Sequence, residues 1–447
     1  MPNKPPQWGS SWTLIMVLAG STVGLSNIWW LPALAGNYGG GAFWVVYLLG
    51  LLVVGVPMII AELSIGVAGQ SDPTTSMGNL AVRSARGWFW ADVGGLACIG
   101  GLLVAPLYVV VASWTGAYLV RSISGDFVDS DLAYAGSTFE QLLLAPTEIM
   151  MWGLAVLLVA MLISVLGVLR GLGIAARILV PLTLGIFVLV AYYSRHFGDI
   201  DATLSYLFVI DWKSIQWSTL SLALMHGIFS LGLGTGVIMT MGSYAPVKED
   251  IPIVALTVVL VEFFSAMLAG YVIMPMIFAA NIEPSGGVSL LFISVPVAFG
   301  SQLAGAYLTA GIYVAVLLAA LTSLMALLEP AVAVISYRMK WARHWVVLLV
   351  GGVVAFVSWG CLMSFRQWHG VPGDWGHWFY QLDNLSRYVL PITGFMLAIF
   401  VGWIINSSVV KDEFEDIPKY IYKLWRFLLK VIALPVMLVV LYLHTMG

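Results

Sequence analysis

Two stretches decide the fold: Ala19-Gly20-Ser21-Thr22-Val23-Gly24-Leu25-Ser26-Asn27, with Pro32 following, and Phe229-Ser230-Leu231-Gly232-Leu233-Gly234-Thr235-Gly236. Each places glycines and small hydroxyls in the middle of a long apolar run. Glycine lowers helix propensity by about 1 kcal/mol relative to alanine, so three of them within 232–236 invite unwinding. Small residues also let helices pack closely in lipid, and that reading stands beside the first. An unwound backbone survives at membrane depth only where it lines a cavity or protein interior.

Outward from these stretches, apolar runs of about 20 residues, the length that crosses a hydrocarbon core of roughly 30 Å, fall at 11–34, 40–66, 88–120, 148–167, 171–194, 216–243, 252–280, 304–336, 343–365, 386–408 and 422–443. The two interruptions sit in the first and sixth spans, five apart. An odd repeat comes out inverted relative to its partner, and interrupted segments at matching places in two halves point to a transporter's midplane site. The expected organisation is one transmembrane domain over 1–447, with repeat one at 11–194, repeat two at 216–408 and an extra helix at 422–443. No cleavage site follows the short head Met1–Gln7, so no signal peptide is expected.

Composition agrees. Of 447 residues 61% are hydrophobic and 9% charged, against roughly 25% charged in soluble domains, which excludes a water-soluble globular enzyme. A net charge of −3 gives no footprint for nucleic acid. Cys98 and Cys361 both lie in apolar stretches, indicating neither a disulfide framework nor a thiolate metal site. No nucleophile–base or metal constellation marks an enzyme.

Basic residues set the orientation. On the side of the N-terminus lie Lys4, Arg83, Arg86, Arg170, Arg177, Lys248, Arg338, Lys340, Arg343, Lys411, Lys419, Lys423 and Arg426; opposite lie Arg121, Arg195, Lys213, Arg366 and Arg387. The N-terminus is therefore expected in the cytoplasm and the C-terminus outside, in a multi-pass plasma membrane protein of bacterial inner-membrane type. Lys430 stands apart, inside the last span. The connection between spans three and four is acidic (Asp126, Asp129, Asp131, Glu140). Residues 195–213 read as a polar loop, and 283–305 as a segment folding back into a vestibule.

The carboxylates Glu62, Glu262 and Glu329 lie inside spans, where each costs roughly 2.5–3.5 kcal/mol near the helix centre and needs a partner. Glu62 reads as an acceptor for free amides of a broken helix. With Thr22, Asn27 and Ser230, Glu262 either completes an oxygen cage for a small hard cation or is a paired structural carboxyl. Glu329, before Pro330, reads as interface-exposed or as a gate partner. Ala319, Thr322 and Ser323 share one face of span eight, although such hydroxyls usually bond back to their own helix.

These residues, with Asn37-Tyr38-Gly39-Gly40-Gly41-Ala42-Phe43, Ala61–Gly66, Tyr108 with Ser113-Trp114, Ser243-Tyr244, Gly286-Gly287 with Leu291–Ile293, and Ala319–Ser323 with Glu329-Pro330, resemble the neurotransmitter:sodium symporter family. The similarity is to its eleven-span bacterial amino-acid branch and covers essentially the whole chain. It implies an all-α polytopic LeuT-type fold, a 5+5 inverted repeat with broken helices 1 and 6 plus an eleventh transmembrane helix. It implies two sodium sites, the first from Thr22, Asn27, Ser230 and Glu262, the second from the carbonyls of Gly20, Val23 and Ala319 with the hydroxyls of Thr322 and Ser323. A zwitterionic substrate, an amino acid or derivative, would set its carboxylate against the amides of Leu25 and Ser26, the Tyr108 hydroxyl and the first sodium, beside Thr22 and Ser230. Val104, Phe229, Gly232, Thr235, Ser323 and Leu327 would line its side chain. Trp8, Trp30, Tyr108, Phe229, Tyr244 and Asp383 are the resemblance's gate positions.

Gly24 stands where amine-transporting relatives carry aspartate, so the substrate is expected to bring its own carboxylate. Glu262 supplies a fixed charge near the first sodium, so chloride independence is expected, and its protonation on the return leg makes proton antiport plausible. Trp30 replaces the family's outer-gate arginine, which favours an aromatic outer gate; Asp383 matches the acidic partner. On the other side Pro5 and Tyr337 replace the usual ion pair, with Lys4 and Glu329 as candidate substitutes. Ser26 adds a hydroxyl at the substrate's charged head, and small Gly232 and Thr235 predict a roomy, slightly polar pocket. Gly171 and Pro181, ten apart, either form an ordinary kink or mark an inner end of span five that unwinds. The expected mechanism is sodium-driven symport by alternating access, spans one, two, six and seven rocking against three, four, eight and nine. A sodium-independent or proton-coupled carrier and a non-transporting substrate sensor are the alternatives.

Overall fold

Apolar helices in lipid are sorted by what their faces can pack against, and span eight has the most neighbours. In the computed structural model, 78% of its most apolar 18-residue window is buried, against 28% for span eleven, so span eight is the central post and span eleven lies at the periphery. The structure describes residues 6–246, 249–302, 304–367, 378–406 and 418–446. Among these, nine helices are long and apolar enough to cross a membrane: Gly41–Gly69, Trp90–Ile123, Pro146–Val165, Val168–Phe197, Ile251–Ala279, Gly305–Met339, Arg343–Arg366, Trp378–Ile404 and Lys419–Leu443. They are spans two to five and seven to eleven. Lys4, Pro5, Lys248 and Lys411, used in the readings above, lie outside the described residues.

Spans one and six are the two broken ones. Span one runs as Ser11–Thr22, Leu25–Trp29 and Leu31–Asn37. At its break the Val23 amide still bonds to Ala19 O at 2.8 Å, while the Gly24 amide turns back to Thr22 O at 2.7 Å. Span six runs as Trp217–Ser230 and Val237–Ser243. Between them Gly232, Gly234 and Gly236 take φ of +64°, +78° and +75°, left-handed backbone that only glycine adopts without strain. Unwinding is thus observed at both stretches, and close approach accompanies it: a Cβ on Gly234 would stand 2.5 Å from Leu390 O.

Some boundaries differ from the sequence reading. Span ten begins at Trp378 rather than 386, because its first turns carry Gln381, Asp383 and Asn384 and read as loop on apolarity alone. Residues 195–213 are not a plain loop: they hold the helix Ile200–Phe208, capped by Asp199, whose Oδ1 accepts from the Ala202 amide at 2.9 Å. The acidic connection holds a helix too, Leu132–Leu143. The 283–305 segment does fold inward, with Leu290, Leu291, Phe292 and Phe299 fully buried.

Candidate ion and substrate site

The first cluster forms where the break of span one meets the break of span six and span seven. Because Ser230 is the last residue of its helix, its hydroxyl faces the opening rather than its own helix. Ser230 Oγ lies 2.5 Å from Glu262 Oε1 and 2.9 Å from Asn27 Oδ1. Asn27 Nδ2 donates to Thr22 O at 3.3 Å. All four residues anticipated for the first ion are therefore in one place. Two further side chains join them: the Tyr47 hydroxyl donates to Glu262 Oε1 at 2.5 Å, and His226 Nε2 lies 3.4 Å from Asn27 Oδ1. Glu262 is fully buried, and its Oε2 meets no hydrogen-bond partner among the described residues. A buried carboxylate oxygen without a partner is costly, and oxygen donors of this kind suit a small hard cation. The residues present fit sodium. Among the described residues no three His, Cys, Asp or Glu side chains cluster, so no multidentate transition-metal site competes for that reading.

The second cluster lies between span one and span eight. Ser323 Oγ crosses to Gly20 O at 3.3 Å, whereas Thr322 Oγ1 bonds back to Ala319 O at 2.9 Å. Back-bonding thus describes Thr322 and not Ser323. Glycine at position 20 permits the approach, since a Cβ there would stand 3.1 Å from Thr322 Cβ and 2.9 Å from Val180 Cγ2. Val23 follows at the break, its carbonyl freed by the backbone turn at φ −71°, ψ 74°. The contact with Val180 brings span five, just before Pro181, against this cluster. Gly171 lies in the π-helical turn Val168–Leu172 at that span's start.

Of the residues anticipated for the substrate, Leu25 and Ser26 head the short helix Leu25–Trp29, and first-turn amides have no intrahelical acceptor, so they favour an anionic group. The Tyr108 oxygen would stand only 2.6 Å from a Cβ at Gly24. Gly101 lets span three approach the span-six break and span eight: a Cβ there would lie 2.9 Å from Thr235 O and 3.5 Å from Leu327 O. Val104 is one turn along from Gly101. Thr235 Oγ1 donates to Gly232 O at 2.6 Å, so its hydroxyl is spent on the turn. Glu62 behaves as anticipated, accepting from the Gly234 amide at 2.9 Å.

At the anticipated gate positions the structure shows which side chains meet. Asp383 pairs with Arg387 Nε, one turn along the same helix, at 2.9 Å. The Arg387 guanidinium stands 5.7 Å above the Phe229 ring. Asp383 is therefore paired within span ten, and the guanidinium, not the carboxylate, faces an aromatic ring across the helices. Trp30 instead packs on the 286–287 turn, its ring 3.1 Å from where a Cβ of either glycine would be. On the N-terminal side Glu329 is fully buried rather than interface-exposed, because Arg343 neutralises it. Arg343 Nη1 donates to Glu329 Oε1 at 2.9 Å, Nη2 pairs with Oε2, and Nε donates to Ser164 O at 2.6 Å. The same Oε1 accepts from the Tyr244 hydroxyl at 2.9 Å. The Trp8 ring stacks edge-on against Tyr244, centroids 5.9 Å apart, and its indole donates to Met241 O at 3.1 Å.

Sequence reasoning missed Tyr47, His226, Arg343 and Arg387 as members of these clusters. Arg387 had a signal, its i,i+4 spacing from Asp383. Arg343 had none, since its partner lies across a helix connection.

The comparisons with known proteins converge on one group. The model of the sodium:neurotransmitter symporter family matches residues 5–135 and 143–446. A Bacillus subtilis protein named as the sodium-dependent transporter YhdH is 28% identical, over 100% of this chain and 98% of its own length. The mouse sodium-dependent neutral amino acid transporter B(0)AT2 is 27% identical over 63% of this chain and 42% of its own length. The crystal structure of MhsT in complex with L-phenylalanine superposes with a TM-score of 0.87 at 30% identity, covering 98% of this chain and 99% of MhsT.

Proposed function

The chain belongs to the sodium:neurotransmitter symporter family, with the LeuT fold, and from that premise we propose that it is a sodium-coupled symporter of an amino acid or similar zwitterion. The observation that carries the proposal is the meeting of Ser230, Asn27 and Glu262 beside two unwound backbones, with Glu262 Oε2 left unpartnered. Substrate and sodium complete each other's shells there, so each raises the other's affinity by the same factor. Thr22, Asn27, Ser230 and Glu262 hold the first ion; Gly20, Val23, Ala319, Thr322 and Ser323 hold the second. The substrate carboxylate sits at the Leu25 and Ser26 amides and the Tyr108 hydroxyl.

The L-phenylalanine in the MhsT complex and the neutral amino acid in the mouse relative's name support an amino acid cargo. Gly24 supports one that carries its own carboxylate. Glu262 makes transport chloride-independent, its fixed charge doing the work of an anion. The basic asymmetry orients the N-terminus to the cytoplasm and the C-terminus outward in the plasma membrane. The two repeats, about 11–194 and 216–408, form one transport unit with the helix at 422–443 outside it.

The test is a thermal-shift screen of the purified protein in sodium or potassium against a library of zwitterions, since a ligand of the folded state stabilises it in proportion to occupancy. A hit seen in sodium and lost in potassium is expected, followed by accumulation in vesicles under a sodium gradient. Uptake that runs equally well in potassium would put a sodium-independent carrier in place of this reading, and Thr322→Ala with Ser323→Ala leaving sodium-dependent uptake intact would remove the second ion site.

A further inference from the structure

Lys430 is the cation that the topology leaves unexplained, and the transport site does not use it. It lies in the last helix, on one stripe with Lys419, Lys423 and Arg426: spacings of four, seven and eleven residues keep all four on a single face. Arg426 Nη2 donates to Gly402 O at 2.8 Å and Nη1 to the Tyr422 hydroxyl at 3.0 Å. Lys430 Nζ stands 4.7 Å from the centre of the exposed Trp403 ring. Gly402 and Trp403 belong to the last turn of span ten, which ends at Ile404, so both cations reach to where that span leaves the lipid. Tryptophan marks the same boundary. The two cations repel each other, and among the described residues no carboxylate pairs with either.

We propose that this face of spans ten and eleven is a docking site for the phosphate of an anionic phospholipid, clasped by Arg426 and Lys430 with Trp403 against the glycerol and upper acyl chain. Two of the five guanidinium N–H groups are used in the protein, leaving three for phosphate. Lys430 lays its alkyl stem along Gly402 while its ammonium stays at headgroup depth, as snorkelling side chains do. A phosphate supplies the counter-charge that the described residues do not. Lys419 and Lys423 extend the attraction to the leaflet surface.

The test titrates the full-length protein, in neutral detergent, with phosphatidylglycerol or with phosphatidylcholine of the same acyl chains, and reads thermal stability and lipid adducts by native mass spectrometry. Phosphatidylglycerol is expected to stabilise and be retained, phosphatidylcholine not. Each basic residue near an anionic surface contributes about 1 kcal/mol, so Lys430→Gln and Arg426→Gln should each weaken retention about five-fold, while Lys430→Arg keeps it. Equal retention by Lys430→Gln would overturn the proposal. So would an equal shift from inorganic phosphate or glycerol phosphate, which would make this a soluble-anion site. A third contrary result is tighter lipid binding when Asp412, Glu413, Glu415 and Asp416 are all changed to amides, which would make those carboxylates the resident counter-ions.

Discussion

Glu262 has two oxygens in different situations. Oε1 takes the Tyr47 hydroxyl and faces Ser230, while Oε2 has no partner among the described residues. Tyr47 and Ser230 hold the carboxylate in one rotamer and leave its second oxygen for the ion proposed there. Glu262→Gln keeps the shape and removes the charge. It is expected to weaken sodium dependence of uptake at least ten-fold, about 1.4 kcal/mol, and to make uptake respond to chloride, which then supplies the missing negative charge. Uptake measured across sodium series in chloride and in gluconate checks both; a chloride-indifferent Glu262→Gln protein would remove the charge argument. Gly24 makes a second case. A Cβ there would be 2.6 Å from the Tyr108 oxygen, so Gly24→Asp, which writes in the residue of amine-transporting relatives, collides with the hydroxyl proposed to receive the substrate. Loss of amino acid binding is expected without gain of amine binding, measured by ligand-induced thermal shift.

At the scale of the element, the unwinding in span six rests on three left-handed glycines, and Gly234 is the most constrained. Its amide feeds Glu62, its Cα faces Leu390 O, and its φ is +78°. Gly234→Ala adds left-handed strain, about 1–3 kcal/mol, together with a clash against span ten. The expected result is a lowered Tm and loss of sodium-induced stabilisation, whereas Gly136→Ala, at a site with open space, leaves both unchanged. These breaks were legible because glycine density in an apolar run has one strong physical consequence, and so were Asn27 and Ser230, which lie on them; Thr322 and Ser323, inside the continuous helix Gly305–Met339, were singled out by the family resemblance instead. What packs across from the breaks was not legible. Tyr47 reaches Glu262 over 215 positions, and nothing in the local pattern of span two distinguishes that ring from an ordinary core tyrosine. Span ten was cut short for the converse reason: its polar first turns are stabilised by tertiary partners, Trp378 over Gly360 and Phe379 against Trp114, which apolarity does not register.

For the whole molecule, what matters is which contacts cross between the halves expected to move. On the N-terminal side the ion pair Glu329–Arg343 and the anchor Arg343–Ser164 join spans eight, nine and four, all in the static half. From the rocking half the Tyr244 hydroxyl bonds to Glu329, with Trp8 packed edge-on behind Tyr244. The opposite side repeats the plan. Asp383 and Arg387 neutralise each other within span ten, and the ring of Phe229 beneath the guanidinium is the charged group's crossing contact. A cation–π contact is worth about 0.5–1 kcal/mol when exposed and about 2 or more when desolvated. Among the described residues neither ion pair crosses between these halves, so neither needs to be pulled apart, a step that would leave an uncompensated charge costing about 3–5 kcal/mol. The two kinds of contact therefore predict separable phenotypes. Arg343→Met strands Glu329 in the core and should lower folding stability by that amount, read as a fall in Tm with or without ligand. Tyr244→Phe breaks a single bond to a charged acceptor, about 1.5–3 kcal/mol, and should lower Tm less than Arg343→Met does. It should shift the population toward the state open on the N-terminal side, raising the labelling rate of a cysteine placed at Ser323 roughly ten-fold or more, since each 1.4 kcal/mol is a factor of ten. If Tyr244→Phe destabilises as much as Arg343→Met and labelling does not change, the N-terminal network is a structural core and the moving boundary lies elsewhere.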